Sequence, residues 1–224
     1  MNLHHGTLGR FLANVGRRRR PRDFSPEEMA RWADYRMSLQ SWQETLATQQ
    51  GAGSNFASFT TAKTVLNPQS LYTLPAGFFS IGKMLNIKVS GLLANIVTTP
   101  GTVTFQVMLG SIVVFTTGAI QMSTTSHTGN PFWLDILLTC RAVGSGTSAN
   151  LMGVAHVAGK QFVLASGADG TQSETVLVEP DITPAVGTGF DSTIANILDF
   201  WAGFSISQPT NNITVQQYLA ASLN

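Results

Sequence analysis

The residues with chemistry to offer are few and scattered. Histidine occurs as His4, His5, His127 and His156, and the one cysteine is Cys140. Apart from the adjacent tail pair, no histidine has metal-ligand spacing to another histidine or to the cysteine. His156 alternates with Val154 in NLMGVAHVAG, as a sheet-face residue does. Asp135 interrupts the apolar run WLDILLTC. A carboxylate there suits a wet sheet face or a pairing with Arg141 better than general-base work. Asp181 and Asp191 flank a loop rich in proline and glycine, without a paired-carboxylate pattern. The glycine strings at 51–53, 144–146 and 187–189 lack the strand-then-helix context of a phosphate cradle, and they read as turns. SGADG at 166–170 lacks the acidic spacing of a calcium loop. With a single thiol, no intrachain disulfide can form, and Cys140 in its apolar run reads as a small buried hydrophobe. These patterns predict a non-enzymatic protein with no metal and no cofactor.

The segments that would position such residues are β-like. LNIKV, NIVTT and TVTFQV are rich in β-branched residues, and Thr99-Pro100-Gly101 supplies a turn between two of them. Strands are expected near 84–90, 93–98, 102–109 and 112–117, the last two as a hairpin across Leu109-Gly110-Ser111. Further strands are expected near 132–143, 150–159, 160–165, 175–178 and 193–207, with ITVQQYLAASL closing the domain. Eight to ten strands with short loops and no interleaved helices predict a two-sheet sandwich with jelly-roll connections.

The N-terminal region differs from the rest. Residues 1–22 hold Arg10, Arg17, Arg18, Arg19, Arg20 and Arg22 and no acid. Residues 1–59 carry eight arginines against five acids, whereas residues 60–224 carry five basic residues against seven acids. The start is predicted to be an unstructured basic arm that orders on a partner. Ser25-Pro26-Glu27-Glu28 has the form of a helix start, and Trp32, Tyr35, Leu39, Trp42 and Leu46 recur at steps of three and four. That spacing predicts an amphipathic helix within 23–50, its stripe packed on another surface. TQQGAGSNFASFTTA at 48–62 has the composition of a linker, which divides the chain into 1–59 and 60–224.

Charged residues make up 11% of the chain, far below the roughly 25% of ordinary domains. A Thr-, Ser- and Asn-rich surface desolvates easily and suits contact with other chains. No run of about 18 apolar residues exists to cross a membrane. LGRFLANVG followed by four arginines is a poor signal peptide, which predicts synthesis in a cytoplasm.

Four phrases carry a family likeness: LNPQSLYTLPAGFFSIGKMLNIKVSG, VTTPGTVTFQVMLG, WLDILLTCRAVGSGTSANLMG and PAVGTGFDSTIANILDFWAGFSIS. Together with the closing TVQQYLAASLN, they make residues 66–224 resemble tailed-bacteriophage virion proteins, the small trimeric jelly-roll proteins of head decoration, fibre or minor tail. The resemblance implies a structural role in the virion, homotrimerisation and no catalytic residues. Combined with the physical reading, it predicts an all-β, jelly-roll-like antiparallel sandwich with an N-terminal basic arm and a single amphipathic helix. The expected function is a head decoration or vertex protein, with a tail fibre or tail-tip module contacting the host surface as the alternative. Residues 1–50 would bind a major capsid or other virion protein: the six arginines electrostatically, and Trp32, Tyr35, Leu39, Trp42 and Leu46 by apolar packing. Nucleic acid is the less favoured partner of the arm, and a host-surface ligand suits the loops at 123–130 and 166–174.

Overall fold

The computed structural model describes residues 25, 27, 43–95, 99–163, 176–178 and 188–223. Its strands, in chain order, are β1 (Gln43–Thr48), β2 (Phe56–Ala57), β3 (Lys63–Thr64), β4 (Tyr72–Leu74), β5 (Met84–Asn95), β6 (Thr102–Leu109) and β7 (Ile112–Thr116). After them come β8 (Ile120–Gln121), β9 (His127–Ala142), β10 (Asn150–Gly159), β11 (Val176–Val178), β12 (Asn196–Phe204) and β13 (Asn212–Leu223). They form two sheets. The large one has seven strands in the order β1-β13-β5-β9-β10-β11, with β2 also on β13. The small one has six in the order β3-β12-β6-β7, with β4 on β12 and β8 on β6. Every strand pairing among the described residues is antiparallel.

The alternation legible in the sequence sets which side chains face inward. In β5, Leu85, Ile87 and Val89 are buried while Met84, Asn86, Lys88 and Ser90 lie on the other face. In β9, Phe132, Leu134, Ile136, Leu138 and Cys140 point inward, and β6 and β12 answer from the small sheet with Val103, Phe105, Val107, Leu198, Phe200 and Phe204. Phe105 stacks between Phe132 and Phe200, 5.7 Å from each ring, so one aromatic column links the two layers. The turn before β6 works as its composition predicts: Gly101 takes a φ of 70° after Pro100. Gly153 in β10 serves packing instead, since a Cβ there would collide with the Phe115 ring of β7 and with Leu138.

The helix is a correction. Residues 43–48 are strand β1, paired with β13 from Gln43 opposite Leu223 to Thr48 opposite Leu219. Among the described residues no helix of seven or more residues exists. The stripe misled for a physical reason. A step of four, such as Trp42 to Leu46, keeps side chains on one face of a strand as well as of a helix. Leu46 instead joins the core at 8% exposure. The rest of the expected helix, apart from residues 25 and 27, lies outside the described residues.

The jelly-roll expectation is corrected as well. Strands divide seven and six, not into two four-stranded sheets. Two pairs nest across the layers, β5 with β13 and β6 with β12, but the β9–β10 hairpin lies beside β5, on the side away from β13. Smaller differences follow the same logic. The two strands expected over 84–98 are one continuous strand as far as Asn95, because Gly91 packs against Thr214 of β13 where a turn was expected. Of the strand expected near 160–165, the described residues 160–163 contribute a single bridge, between Phe162 and Met122, and 164–165 lie outside the described residues.

Candidate functional site

Among the described residues the chemically capable side chains do not converge. Cys140 is buried, its thiol donating to the Ala142 carbonyl at 3.4 Å, and burial pushes its pKa up, away from the reactive thiolate. His127 accepts from the Asn130 side-chain amide at 2.7 Å. Burial first, then the Lys160 charge, lower its pKa and keep the ring neutral. Asp135 pairs with Lys88 at 3.4 Å, whereas the Arg141 guanidinium lies against the Met152 sulfur at 3.6 Å. His156 sits half-buried on the outer face of β10, opposite Asp135. Among the described residues no three His, Cys, Asp or Glu side chains are grouped to hold a metal. His4, His5, Asp181, Arg10, Arg17, Arg18, Arg19, Arg20, Arg22, Trp32, Tyr35, Leu39 and Trp42 lie outside the described residues.

One polar cluster escaped the sequence reading. The Asp199 carboxylate of β12 accepts from the Thr64 hydroxyl at 2.8 Å, the Phe200 N–H at 2.7 Å and the Trp201 indole N–H at 2.6 Å. It ties β3 to β12 at a site only 9% exposed. The Tyr218 hydroxyl, wholly buried and without a hydrogen-bond partner among the described residues, has its pKa raised well above the usual value by burial first and by the Asp199 charge second. The spacing Asp-x-Trp was visible in the sequence, and in a strand it puts both side chains on one face. The distant hydroxyl was not visible.

Two surfaces remain. The first is a loop end. Gly144 N–H donates to the Ser192 hydroxyl, Ser192 N–H to the Gly144 carbonyl, and Gly77 N–H to the Ser192 carbonyl, each at 2.9 Å. Asp191 accepts from Gly146 N–H at 2.8 Å and from the Thr193 hydroxyl at 2.6 Å. The Thr193 hydroxyl, then the two backbone donors, hold its pKa down. Gly82 N–H reaches the Cys140 carbonyl at 2.9 Å, and Gly110 N–H the Ile197 carbonyl at 2.8 Å. These bonds fix loops that carry exposed aliphatic side chains, Ile81 at 71%, Ile194 at 55% and Val143, beside Ile197 at the start of β12.

The second surface is the outer face of the large sheet. Register places its side chains in rows running from β13 through β5 and β9 to β10. One row is Gln217, Ser90, Trp133, Ala158, and the next is Leu219, Lys88, Asp135, His156. The following rows are mostly apolar, Ala221, Asn86, Leu137, Val154, then Leu223, Met84, Thr139, Met152, and Ala221 among them is fully buried. Trp133 is 47% exposed.

No family model matches this chain, and no curated protein matches it. Among solved structures it is similar to the CBM2 module of the evolved Dit of Lactobacillus casei BL23 phage J-1, at 8% identity and a TM-score of 0.33, over 83% of this chain and 98% of that one. A likeness at that level carries no argument about fold or function.

Proposed function

We propose that this chain is a non-enzymatic structural component of a bacteriophage virion, a head decoration or vertex protein that assembles as a homotrimer and resides on the particle. The observation that carries the assembly reading is the loop end. Bonded loops hold Ile81, Val143 and Ile194, and the start of β12 holds Ile197, out in water, where aliphatic side chains favour burial against another chain. The virion reading rests on the phrases quoted for residues 66–224. Attachment to a major capsid or other virion protein is assigned to the N-terminal region, through the arginines Arg10, Arg17, Arg18, Arg19, Arg20 and Arg22 and through Trp32, Tyr35, Leu39 and Trp42. Leu46 is committed to the core and drops out of that set.

The test is to add purified variants to particles lacking this protein and measure occupancy. Neutral residues at Arg17 to Arg20 weaken attachment most at low salt, where charge pairing is least screened. Alanine at Trp32 and Trp42 weakens it at all salt concentrations. Full occupancy by a chain starting at Trp42 sinks the assignment. A second reading, a tail fibre or tail-tip module at the host surface, is favoured by the exposed Trp133 indole on the sheet face.

A further inference from the structure

We propose that the Trp133 end of the large sheet's outer face is a binding subsite for a neutral sugar ring, with the indole as its platform. The proposal stands on the β body alone and does not depend on where the protein sits on a particle. Trp133 projects from β9, which is paired on both sides, by β5 and by β10. Its backbone is therefore fixed before any ligand arrives, and little ordering cost remains at binding. Its register neighbours are Ser90 and Ala158, both small, and the indole is left 47% exposed. The Lys88 ammonium lies over the ring at 5.9 Å from its centre, and the exposed remainder of the indole suits the C–H face of a pyranose, which is apolar, flat and of similar extent.

The polar groups beside the indole suit hydroxyls. Asp135 and Lys88 lie in the next row, two residues along the strand, which is about 6.8 Å and the scale of one sugar ring. Asp135 is an acceptor, and His156 stands opposite it on β10. Lys88 is a donor, held 3.4 Å from the Asp135 carboxylate and 5.9 Å from the Trp133 ring centre. On the β13 side the Ser90 hydroxyl donates to Gln217 Oε1 at 3.0 Å, leaving the Gln217 amide N–H groups as donors. Charge selects the ligand class. Among the described residues, the one cation and the one carboxylate of the patch neutralise each other, so an anionic or cationic ligand gains no unpaired counter-charge from them. A neutral polyhydroxylated ring uses both without disturbing the pair.

The experiment is native affinity electrophoresis of the full chain in gels containing galactomannan, mixed-linkage β-glucan, dextran or, as the charged arm, polygalacturonate. At least one neutral polymer is expected to retard the protein, and Trp133→Ala to weaken that retardation about tenfold. Trp133→Tyr, which keeps an aromatic plane and guards against a folding defect, is expected to retain part of it. Asp135→Asn frees the Lys88 charge and is expected to shift preference toward polygalacturonate. The proposal is overturned if no neutral polymer retards the wild-type chain, if polygalacturonate retards it most, or if Trp133→Ala migrates as the wild type does. It is equally overturned if Trp133→Ala changes the mass measured by light scattering, since the indole would then be a protein contact.

Discussion

At Asp199 three donors converge on one carboxylate, from Thr64, Phe200 and Trp201. Hydrogen bonds to a charged group are stronger than neutral ones, and a donor left unpaired in a buried site loses its solvation without return. Asp199→Ala should therefore cost about 2–4 kcal/mol in urea unfolding. A loss under about 1 kcal/mol would show that water replaces the carboxylate freely. Tyr218 presents the opposite case, a buried hydroxyl with no partner among the described residues. Its pKa is raised from 10.0, so the folded protein holds the phenolic proton to higher pH than the unfolded chain does. The Tyr218 contribution is then intact below pH 10.0 and is lost as pH climbs above that toward the folded value. Tyr218→Phe removes the effect. Its stability at neutral pH should lie within about 1 kcal/mol of the wild type, since no bond is broken, and should fall less steeply above pH 10.0. Parallel alkaline denaturation curves for the two proteins would contradict this.

At the scale of elements, β1 decides where the β body begins. It adds a six-residue edge to β13 and delivers Leu46 to the core, and β2 pairs with the other end of the same strand. The compact unit accordingly starts at Trp42. A fragment of residues 42–224 should melt cooperatively. One of residues 60–224 loses both strands, bares the β13 edge and should melt several degrees lower, with more aggregation. Equal melting temperatures would mean that β1 adds nothing. This element also shows what the sequence could and could not disclose. A long strand with strict alternation over most of its length, such as β9, was legible because one face is core and the other is not. The β6–β7 hairpin was legible from its turn. β1 was not, because apolar residues four apart satisfy both periods, and its partner β13 lies at the far end of the chain. Sheet order was hidden for the same reason: pairing between β5 and β9 or β12 and β3 depends on partners remote in sequence. Trp133 was readable as a strand residue, but its neighbours Ser90, Lys88 and Gln217 come from two other strands, so the cluster exists only in the fold.

For the whole molecule, the open question is assembly, and charge and rigidity both bear on it. Residues 60–224 hold only twelve charged side chains, so approach between copies meets little long-range repulsion. The loop end is already fixed by hydrogen bonds among 77, 110, 144, 146, 191, 192 and 197, so an interface there orders few side chains on binding. Isoleucine at 81 and 194 is β-branched and stiff, which lowers that cost again. A trimer joined through this end should give light scattering at three times the chain mass. Ile81→Ser together with Ile194→Ser should shift it toward a single chain, with the melting of the β body changed little because both side chains face water in the isolated fold. The pair matters: one serine alone leaves most of the aliphatic surface in place, and dissociation would then show only on dilution. A trimer that survives the double substitution would move the interface to another surface, and a wild-type chain that stays monomeric would remove the trimer altogether.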